Sequence, residues 1–470
     1  MIGADVLYLT VAELGERIRA KKLSPVELTQ AYLDRSQKLG PQLNAYATLT
    51  PDLAMKQAQA AEAEIKAGKY RGPLHGIPYA AKDLLAVPGY PTTWGAKPLV
   101  DQKFDVTATV IQRLTDAGAI LLGKAAMIEL AGGMGYRFAA ASATGPAKNP
   151  WNTDCWTCGS SSGSGAIVAA GLAAFAIGTE TWGSIICPSS FCGVSGLRPT
   201  FGRVSRYGAM ALSYSMDKIG PMARSAQDCS EVLRVIAGHD EKDKGSLREG
   251  IAEYPNPGIY DRLRGLLRIG VVKKPFGEKI PDDVQSAFDA AVKVLEATGA
   301  HIGEVEMPEG PYEIAAGVTI SVEGATAFRD MIESGKVDQL VDPLGRVSAY
   351  VNTVIPADDF LRAQQIRGIF QQRANDLFKD FDVVTAPSQP VGATKLSANL
   401  ETDLAYPDPI GGLGNFCGLP CISVPCGFTK DKLPVGIQFL GNVLEDQKVV
   451  EAATLYQSKT DWHRQRPPLG

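Results

Sequence analysis

The sequence predicts an α/β fold, a single large domain built around one mixed β-sheet. Short apolar runs typical of strands alternate with longer helical patterns, beginning with residues 77–81, a helix near 108–118 and a second apolar run at 120–122. Strands that alternate with helices favour this fold class. The 470 residues would accommodate two or three average domains, but no internal repeat or low-complexity linker divides them. We therefore expect one domain over residues 1–470.

The N-terminal part of the chain, about residues 10–70, is predicted to be helical. Thr10 with Glu13, and Ser24 with Glu27, each form the pattern of a capping box. Apolar residues then recur at helical spacing after the second of these patterns, which indicates a helix with one buried face.

The remaining chain keeps the alternation of strands and helices. Strand-like runs occupy residues 174–177, 268–272, 383–385, 422–424 and 435–440, with a helix predicted at 282–299 between two of them. The longest apolar run, residues 166–177, is too short to span a bilayer and is predicted to be a buried helix. The polar, irregular residues 239–266 are predicted to be an excursion from the fold or a junction between lobes.

Composition and charge argue against several classes of function. The formal net charge is −4 with no block of like charges, so neither nucleic acid nor an anionic membrane is an expected partner. The N-terminus lacks a basic stretch followed by an apolar core, so a cytoplasmic location is expected. Cys155 and Cys158 form a C-x-x-C pattern, but no second pair and no nearby histidine accompany it. We expect free thiols rather than a zinc site or a disulfide scaffold.

The most unusual local sequence is the glycine- and serine-rich stretch 158–165, which runs directly into an apolar helix. A turn that feeds a helix N-terminus gathers backbone N–H donors and hydroxyls in one place. A flexible linker is not usually joined to such a helix, and a phosphate-binding loop would need a lysine that this stretch lacks. A nucleophile elbow centred on Ser161 stays open, with His239, His301 or His463 as its histidine.

A second serine-containing turn, residues 178–188, follows the helix and a strand-like run. A helix followed by a returning strand brings both turns to one end of a sheet, and Ser184 after Gly183 would present a hydroxyl beside backbone N–H groups. Lys82 directly follows the apolar residues 77–81. A lysine at a strand end most often reaches solvent, but a buried one would lose its charge and serve as a base.

Taken in this order, the three segments resemble the amidase signature family. Its strongest marks are the glycine–serine loop and the T-E-T-x-G-S-I run, and here Ser160 and Ser184 lie 24 positions apart. Further family-like segments occur at residues 72–83, 191–200, 202–208, 216–224, 418–425 and 433–438. The resemblance covers nearly the whole chain. It implies a mixed, mostly central sheet with helices on both faces, a catalytic core at about 71–235 and a variable, substrate-facing region at about 310–370.

The resemblance also implies a Ser–cis-Ser–Lys triad. Ser184 would be the nucleophile, Lys82 the general base, and Ser160, after a cis Gly159–Ser160 bond, the bridge between them. No metal or cofactor would be required. The oxyanion would be held by backbone N–H groups drawn from Thr181, Trp182, Gly183 and Ser184.

Three residues depart from the usual family pattern. Trp182 stands where Gly or Asp is common, Cys158 where Gly is frequent and Ile186 where Arg is frequent. Residues 158–165 and the Ile-Ile-Cys-Pro run at 185–188 resemble stand-alone amidases, including peptide amidase-like enzymes, more than amidotransferase subunits. Trp would be strained if position 182 required a positive φ, and its side chain is also a candidate for lining the substrate pocket. Met134 and Tyr136 are two further pocket candidates, for which ordinary core packing is an equally good interpretation.

The predicted function is hydrolysis of a linear carboxamide C–N bond, which gives a carboxylate and ammonia or an amine through an acyl-enzyme. Esters, anilides or carbamates are further candidate substrates, and Trp182 suggests an apolar or aromatic substituent. Two alternatives stay open: the glutaminase subunit of a tRNA-dependent amidotransferase, and an α/β-hydrolase esterase using Ser161. The expected partner is a small-molecule amide, with no nucleic acid and no membrane, and a homodimer would be unsurprising.

Overall fold

The structure, a computed structural model, describes residues 2–248, 267–277 and 280–469. Within these ranges a large β-sheet occupies the centre of the molecule and helices pack on both of its faces. The predicted excursion at 239–266 lies mostly outside the described residues, which include only 239–248 of it.

Eleven of the described strands form the central sheet, in the order β1-β3-β2-β6-β8-β7-β12-β13-β11-β9-β10, and β4 pairs with β5 separately. The strands are β1 (Tyr46–Leu49), β2 (Pro78–Lys82), β3 (Ile120–Ala125), β4 (Lys148–Asn149), β5 (Asn152–Trp156), β6 (Phe175–Glu180), β7 (Ser195–Arg198), β8 (Lys218–Ala223), β9 (Arg268–Val272), β10 (His301–Val305), β11 (Val383–Pro387), β12 (Cys421–Phe428) and β13 (Pro434–Gly441). β2 runs parallel to β3 and β6, and β9 parallel to β10 and β11. The other pairs are antiparallel, so the predicted mixed sheet is confirmed.

The helices follow the predicted alternation. They are α1 (Val11–Arg19), α2 (Pro25–Leu43), α3 (Pro51–Lys66), α4 (Thr109–Asp116), α5 (Ser162–Ala169), α6 (Ile186–Cys192), α7 (Ala226–Ile236), α8 (Asp282–Ala297), α9 (Tyr312–Ala327), α10 (Arg329–Glu333), α11 (Pro343–Val351), α12 (Ala357–Leu377), α13 (Leu400–Asp403), α14 (Pro409–Phe416) and α15 (Asp446–Gln457). Thr10 begins α1 with a complete capping box, and Ser24 caps α2 by accepting from the Glu27 N–H at 3.2 Å. Across the part of the chain described, no helix has the length and apolarity needed to cross a bilayer.

The central strands are buried on both faces. β2, β3, β6 and β8 contain only buried residues, and β13 is buried along its whole length. Near-continuous apolar sequence is what a strand covered by helices on both sides requires. This explains why these strands read as short apolar runs rather than as an alternating pattern.

The prediction of one buried helix over residues 166–177 is wrong. α5 ends at Ala169, Gly171 turns the chain with a φ of 63°, and the second half of the apolar run forms β6. Glycine adopts this left-handed conformation without a steric penalty, so the run divides there. α5 therefore begins at Ser162, within the glycine- and serine-rich stretch, and β6 ends at Glu180, four residues before Ser184.

The pairing of β2 with β6 brings Lys82 close to the two serine-containing segments. Tyr79 lies opposite Phe175 and Ala81 lies opposite Ile177, in parallel register. Both strands end at the same edge of the sheet, so Lys82 at the end of β2 lies beside the residues that follow β6.

The predicted variable region at about 310–370 is occupied by α9, α10, α11 and most of α12. Its role toward substrate remains a prediction.

Candidate active site

Lys82 is completely buried at the end of β2 and contacts hydroxyl groups. Its Nζ donates to Ser160 Oγ at 2.7 Å, to Ser161 Oγ at 3.0 Å and to Thr179 Oγ1 at 2.9 Å. None of these hydroxyls carries a charge that would stabilise an ammonium group. Lys82 and Ser160, which lie in separate sequence motifs, are therefore in direct contact.

The charge of Lys82 is disfavoured at this position. Burial lowers the pKa of Lys82 from its ordinary value of 10.5 to about 7, although the negative charges of Asp217 and Glu180 act in the opposite direction. A buried amine loses the hydration that stabilises its charged form. At neutral pH a substantial fraction of Lys82 is therefore an uncharged amine that can accept a proton.

The loop that carries Ser160 has the predicted cis Gly159–Ser160 peptide bond. The Ser160 carbonyl accepts from the Ile128 N–H at 3.2 Å, and the Ser161 N–H donates to the Ser184 carbonyl at 3.3 Å. The first contact ties the loop to the segment after β3, and the second ties it to the other serine turn. Both predicted serines therefore lie in two turns that contact each other.

The hydroxyl of Ser161 is fully committed to the scaffold. It donates to the Thr179 carbonyl at 3.1 Å, accepts from the Thr179 N–H at 3.2 Å and accepts from Lys82. None of the hydrogen bonds that His239 and His463 form in the described residues reaches Ser161. His301 lies on β10 at the far end of the sheet. The constellation that an α/β-hydrolase esterase needs is thus not assembled around Ser161.

Ser184 lies in the turn between β6 and α6 and is 8% exposed. Its hydroxyl has no hydrogen-bond partner in the parts of the chain described, so its oxygen is free to approach a substrate. The positive φ of this turn falls on Gly183, at 80°, and not on Trp182. The strain considered for Trp182 is therefore absent. The backbone N–H groups of residues 181–184 likewise find no acceptor within the described ranges, which leaves them available to an oxyanion.

The buried carboxylate of Glu180 fixes the backbone that directly follows Ser184. Glu180 accepts from the N–H of Ile185 at 2.7 Å and of Ile186 at 2.9 Å through one oxygen, and from Arg198 at 2.8 Å through the other. Burial alone would raise the pKa of Glu180, but the charge and hydrogen bond of Arg198 and the backbone N–H groups hold it at about 2. This clamp was not predicted from the sequence, although the T-E-T run contains Glu180.

Thr181 is held in place by two buried ionisable residues, Asp217 and Lys218. Its hydroxyl donates to Asp217 at 2.6 Å, and Asp217 also accepts from the N–H groups of Leu212 and Ser213. Lys218 Nζ donates to the Thr181 carbonyl at 3.4 Å. Burial raises the pKa of Asp217 and lowers the pKa of Lys218 to about 7. These contacts were also missed from the sequence, where the M-D-K segment was the available signal.

The Trp182 side chain is half-buried beside the Ser184 turn. Its Nε1 donates to Asp408 at 2.9 Å, and the Asp408 N–H donates to Glu313 at 2.7 Å. The indole packs against an apolar cluster that includes Ile186 and Tyr312. Trp182 is therefore held in one orientation as an aromatic wall next to the nucleophile candidate.

The other two pocket candidates differ in position. Met134 is 2% exposed and belongs to the main hydrophobic core. Tyr136 is half-buried, lies edge-on to Trp156 with ring centroids 6.0 Å apart, and reaches the space beside Gly159. Burial raises the pKa of Tyr136. Tyr136 therefore adjoins the serine loop, whereas Met134 packs in the interior, and their contact with substrate remains a prediction.

The prediction that the cysteines are free thiols is wrong for two of them. Cys158 and Cys187 form a disulfide with a Cα–Cα distance of 5.9 Å, and Cys158 has a φ of 63°. Cys155, the other member of the C-x-x-C pattern, stays a buried thiol. The pairing could not be read from the sequence because the two cysteines are 29 positions apart and meet only when the serine turns do. Across the described ranges, no cluster of three metal-ligating side chains occurs.

A cavity of about 220 Å³ adjoins the turn that carries Ser184, because Thr181 of that turn belongs to its lining. Thr179 also belongs to its lining, and its charged lining residues are Arg206, Asp217, Lys218, Lys242 and Asp243. The rest of the lining is largely apolar and includes Leu84, Ala131, Met210, Leu212 and Ile219. An apolar group bound near the serine turns would find a compatible surface here.

The chain is similar to known proteins along most of its length. A family model described as Amidase matches residues 27–450. A glutamyl-tRNA(Gln) amidotransferase subunit of Acinetobacter baumannii (strain AYE) is 37% identical over 490 aligned residues, covering 99% of each protein. The native peptide amidase from Stenotrophomonas maltophilia is 32% identical over 98% of each chain, with a TM-score of 0.86. A bacterial aryl acylamidase of the amidase signature family is 25% identical, with a TM-score of 0.84 over 98% of this chain and 99% of that one.

These matches extend over almost the whole chain and agree with the mixed sheet and its covering helices. The turns that carry Ser160 and Ser184 lie inside the matched range. The chain therefore belongs to the amidase signature family of enzymes, which hydrolyse amide C–N bonds.

Proposed function

We propose that this protein is a stand-alone amidase that hydrolyses a linear carboxamide through an acyl-enzyme on Ser184. The observation that carries the proposal is the contact of Lys82 Nζ with Ser160 Oγ at 2.7 Å, in a site whose burial lowers the pKa of Lys82 to about 7. A lysine that is partly uncharged at neutral pH and bonded to a serine hydroxyl is equipped to act as a general base.

The hydrogen bonds around Lys82 support a defined route for the proton. The Ser161 hydroxyl donates to the Thr179 carbonyl, so toward Lys82 its oxygen can only accept. A neutral amine has two N–H bonds and one lone pair. N–H bonds directed at the hydroxyl oxygens of Ser161 and Thr179 leave the lone pair for the Ser160 proton. Ser160 can then accept the proton of Ser184.

The proposed reaction follows from this relay. Ser184 Oγ bonds to the amide carbon while its proton moves to Ser160 and the Ser160 proton moves to Lys82. The N–H groups of residues 181–184 hold the oxyanion. When the C–N bond breaks, the proton returns from Lys82 through Ser160 to the leaving nitrogen. Water then hydrolyses the ester by the same relay, which releases the carboxylate and restores Ser184.

We further propose that the substrate carries an apolar or aromatic group next to the scissile bond. The fixed indole of Trp182 and the apolar lining of the neighbouring cavity support this. Replacing Trp182 by Gly should lower kcat/KM for an acyl anilide relative to an aliphatic amide by about tenfold or more, a typical loss for missing apolar contact. Trp182→Phe is the matched control and should keep most of the preference. An unchanged preference in Trp182→Gly would contradict the proposal.

A glutaminase function within a larger complex is the second candidate, because the relative with 37% identity is named as an amidotransferase subunit. That function predicts glutamine hydrolysis that depends on partner proteins and no turnover of aryl amides by the isolated chain. The stand-alone function predicts aryl or aliphatic amide turnover by this chain alone.

The deciding experiment offers the purified protein an acyl anilide, an aliphatic amide, glutamine and a p-nitrophenyl ester. Lys82→Ala and Ser184→Ala should each abolish amide turnover, because one removes the base and the other the nucleophile. Ser161→Ala should keep measurable turnover, since Ser161 only supports Lys82. Ester hydrolysis that survives Lys82→Ala but is lost in Ser161→Ala would overturn the mechanism.

Location and oligomeric state remain predictions. The cytoplasmic location expected from the sequence is opposed by the Cys158–Cys187 disulfide, a bond more typical of oxidising compartments. Cell fractionation decides the first question, and light scattering of the purified protein tests the expected homodimer.

A further inference from the structure

The disulfide joins the two turns that carry the serines. Cys158 lies two residues before Ser160, and Cys187 lies three residues after Ser184. On the other side of the same pair of turns, the Ser161 N–H donates to the Ser184 carbonyl at 3.3 Å. The disulfide and this hydrogen bond close a small ring that runs through residues 158–161 and 184–187 and so includes both Ser160 and Ser184.

Apart from the bonds of Ser161 and Lys82 to Thr179, few hydrogen bonds hold the two turns at a set separation. In the part of the chain described, the bond from the Ser161 N–H is the one direct hydrogen bond between residues 158–161 and 184–187. Its length of 3.3 Å lies beyond the usual range for N–H···O bonds. No hydrogen bond joins the hydroxyls of Ser160 and Ser184 in the described structure. The distance between these hydroxyls therefore depends on the covalent link, on the bonds of Ser161 and Lys82 to Thr179, and on packing.

The backbone of Cys158 points to a role for its side chain. Its φ of 63° lies in the left-handed region, which glycine adopts freely and residues with a Cβ do not. A cysteine is therefore a poor choice for this position on conformational grounds alone. Its sulfur forms the disulfide with Cys187, which gives a structural reason for a cysteine at this unfavourable position.

We propose that the Cys158–Cys187 disulfide positions Ser160 against Ser184, so that amide hydrolysis falls when a dithiol reductant opens the bond. This inference rests on the proposed roles of the two serines. Cys158 and Cys187 are positioning residues, because their sulfurs act through the turns they join and not on the substrate.

The exchange is chemically balanced. One thiolate of the reductant attacks a disulfide sulfur and forms a mixed disulfide, and its second thiol displaces the protein sulfur. The reductant leaves as a cyclic disulfide, and Cys158 and Cys187 each end as a thiol. Burial raises the pKa of the neighbouring Cys155 and Cys192 thiols, which suppresses their thiolate forms. These thiols are therefore poor partners for reshuffling.

The first measurement compares the oxidised and the reduced protein. Titration in denaturant should find six thiols in the oxidised chain and all eight after dithiothreitol. For an acyl anilide, reduction should lower kcat about 10- to 100-fold, as expected for a reactive group displaced by around an ångström. KM should change less than about threefold, because neither Cys158 nor Cys187 lines the cavity described above. Reoxidation should restore kcat.

Variants separate this effect from general destabilisation. Cys158→Ser combined with Cys187→Ser should resemble the reduced wild type and should not respond to dithiothreitol. Cys155→Ser is the matched control: it removes a neighbouring thiol and should keep the full response. If the double variant does not fold, the reduced wild type, checked by its melting curve, carries the test. Unchanged kcat in a folded protein with eight titrated thiols would overturn the proposal, and so would eight thiols before reduction.

A covalent probe keeps this inference distinct from the proposed function. A fluorophosphonate labels an activated serine without requiring an amide substrate, so its rate of reaction at Ser184 can be followed before and after reduction. If the oxidised protein cleaves no amide in the panel, the proposed function fails but the labelling rates still test positioning. A slower rate after reduction supports the disulfide's role, and equal rates contradict it.

Discussion

Removing the buried lysine should change how stability depends on pH. Burial lowers the pKa of Lys82 from 10.5 to about 7, so between these values the unfolded chain binds a proton that the folded protein does not. Stability of the wild type therefore rises with pH across this window and is flat below it. Lys82→Met has no such proton, and its stability should lack this contribution.

The magnitude follows from the size of the shift. One pKa unit corresponds to about 1.4 kcal/mol, so at pH 7 the lysine lowers the unfolding free energy by about 4 kcal/mol relative to pH values above 10.5. At pH 9 the same effect is about 2 kcal/mol. The stability of Lys82→Met relative to wild type should therefore fall by about 2 kcal/mol between pH 7 and pH 9. The lost hydrogen bonds to Ser160, Ser161 and Thr179 add an offset that does not depend on pH.

Urea unfolding of both proteins at pH 7, 8 and 9 measures the difference directly. Ser184→Ala is the matched control, since it is expected to be inactive as well but retains the lysine, and its stability should follow the wild type at every pH. A difference between Lys82→Met and wild type that stays constant from pH 7 to pH 9 would refute the reasoning. Lys82 would then be charged at neutral pH and unsuited to be the base.

Three further predictions concern activity and packing. The kcat/KM for an amide should rise about tenfold per pH unit below 7 and level off above it, because only uncharged Lys82 accepts a proton. Glu180→Gln should lower the unfolding free energy by about 3–5 kcal/mol, since Arg198 stays buried without its partner; it should also move the acid limb of the pH profile to lower pH. Gly163→Ala should destabilise by about 3 kcal/mol in urea unfolding, because its Cβ would lie 2.5 Å from the Ala126 backbone nitrogen; an unchanged midpoint would contradict this.

The candidate site could be located from the sequence because each reactive group lies in a short contiguous motif. Lys82 follows an apolar strand, Ser160 lies in a glycine–serine loop, and Ser184 ends a T-E-T-x-G-S run. The structure brings these three segments to one edge of the sheet, as the pattern of helix and returning strand predicts. Amphipathic helices were also predictable from their periodicity, but the apolar run 166–177 was not, because a buried helix and a buried strand look alike in sequence.

The residues that support the candidate site could not be predicted from local sequence patterns. Glu180 and Arg198 are 18 positions apart and form their buried pair only because β6 and β7 flank the same strand. Ser161 matched the centre of a nucleophile elbow by its neighbours alone, and its actual role became visible from its bonds to Thr179. The order of strands in the sheet was likewise unpredictable, since distant pairing depends on the whole chain.

The sequence by itself determined which groups are candidates for the chemistry, because the proposed base, bridging hydroxyl and nucleophile are encoded as residue types at set spacings. Only the tertiary structure decided whether those groups are usable. It removes water from Lys82 and so lowers its pKa, and it brings Cys158 within bonding distance of Cys187. Both effects depend on which distant segments exclude solvent together, a property of the packed chain that no contiguous stretch of residues contains.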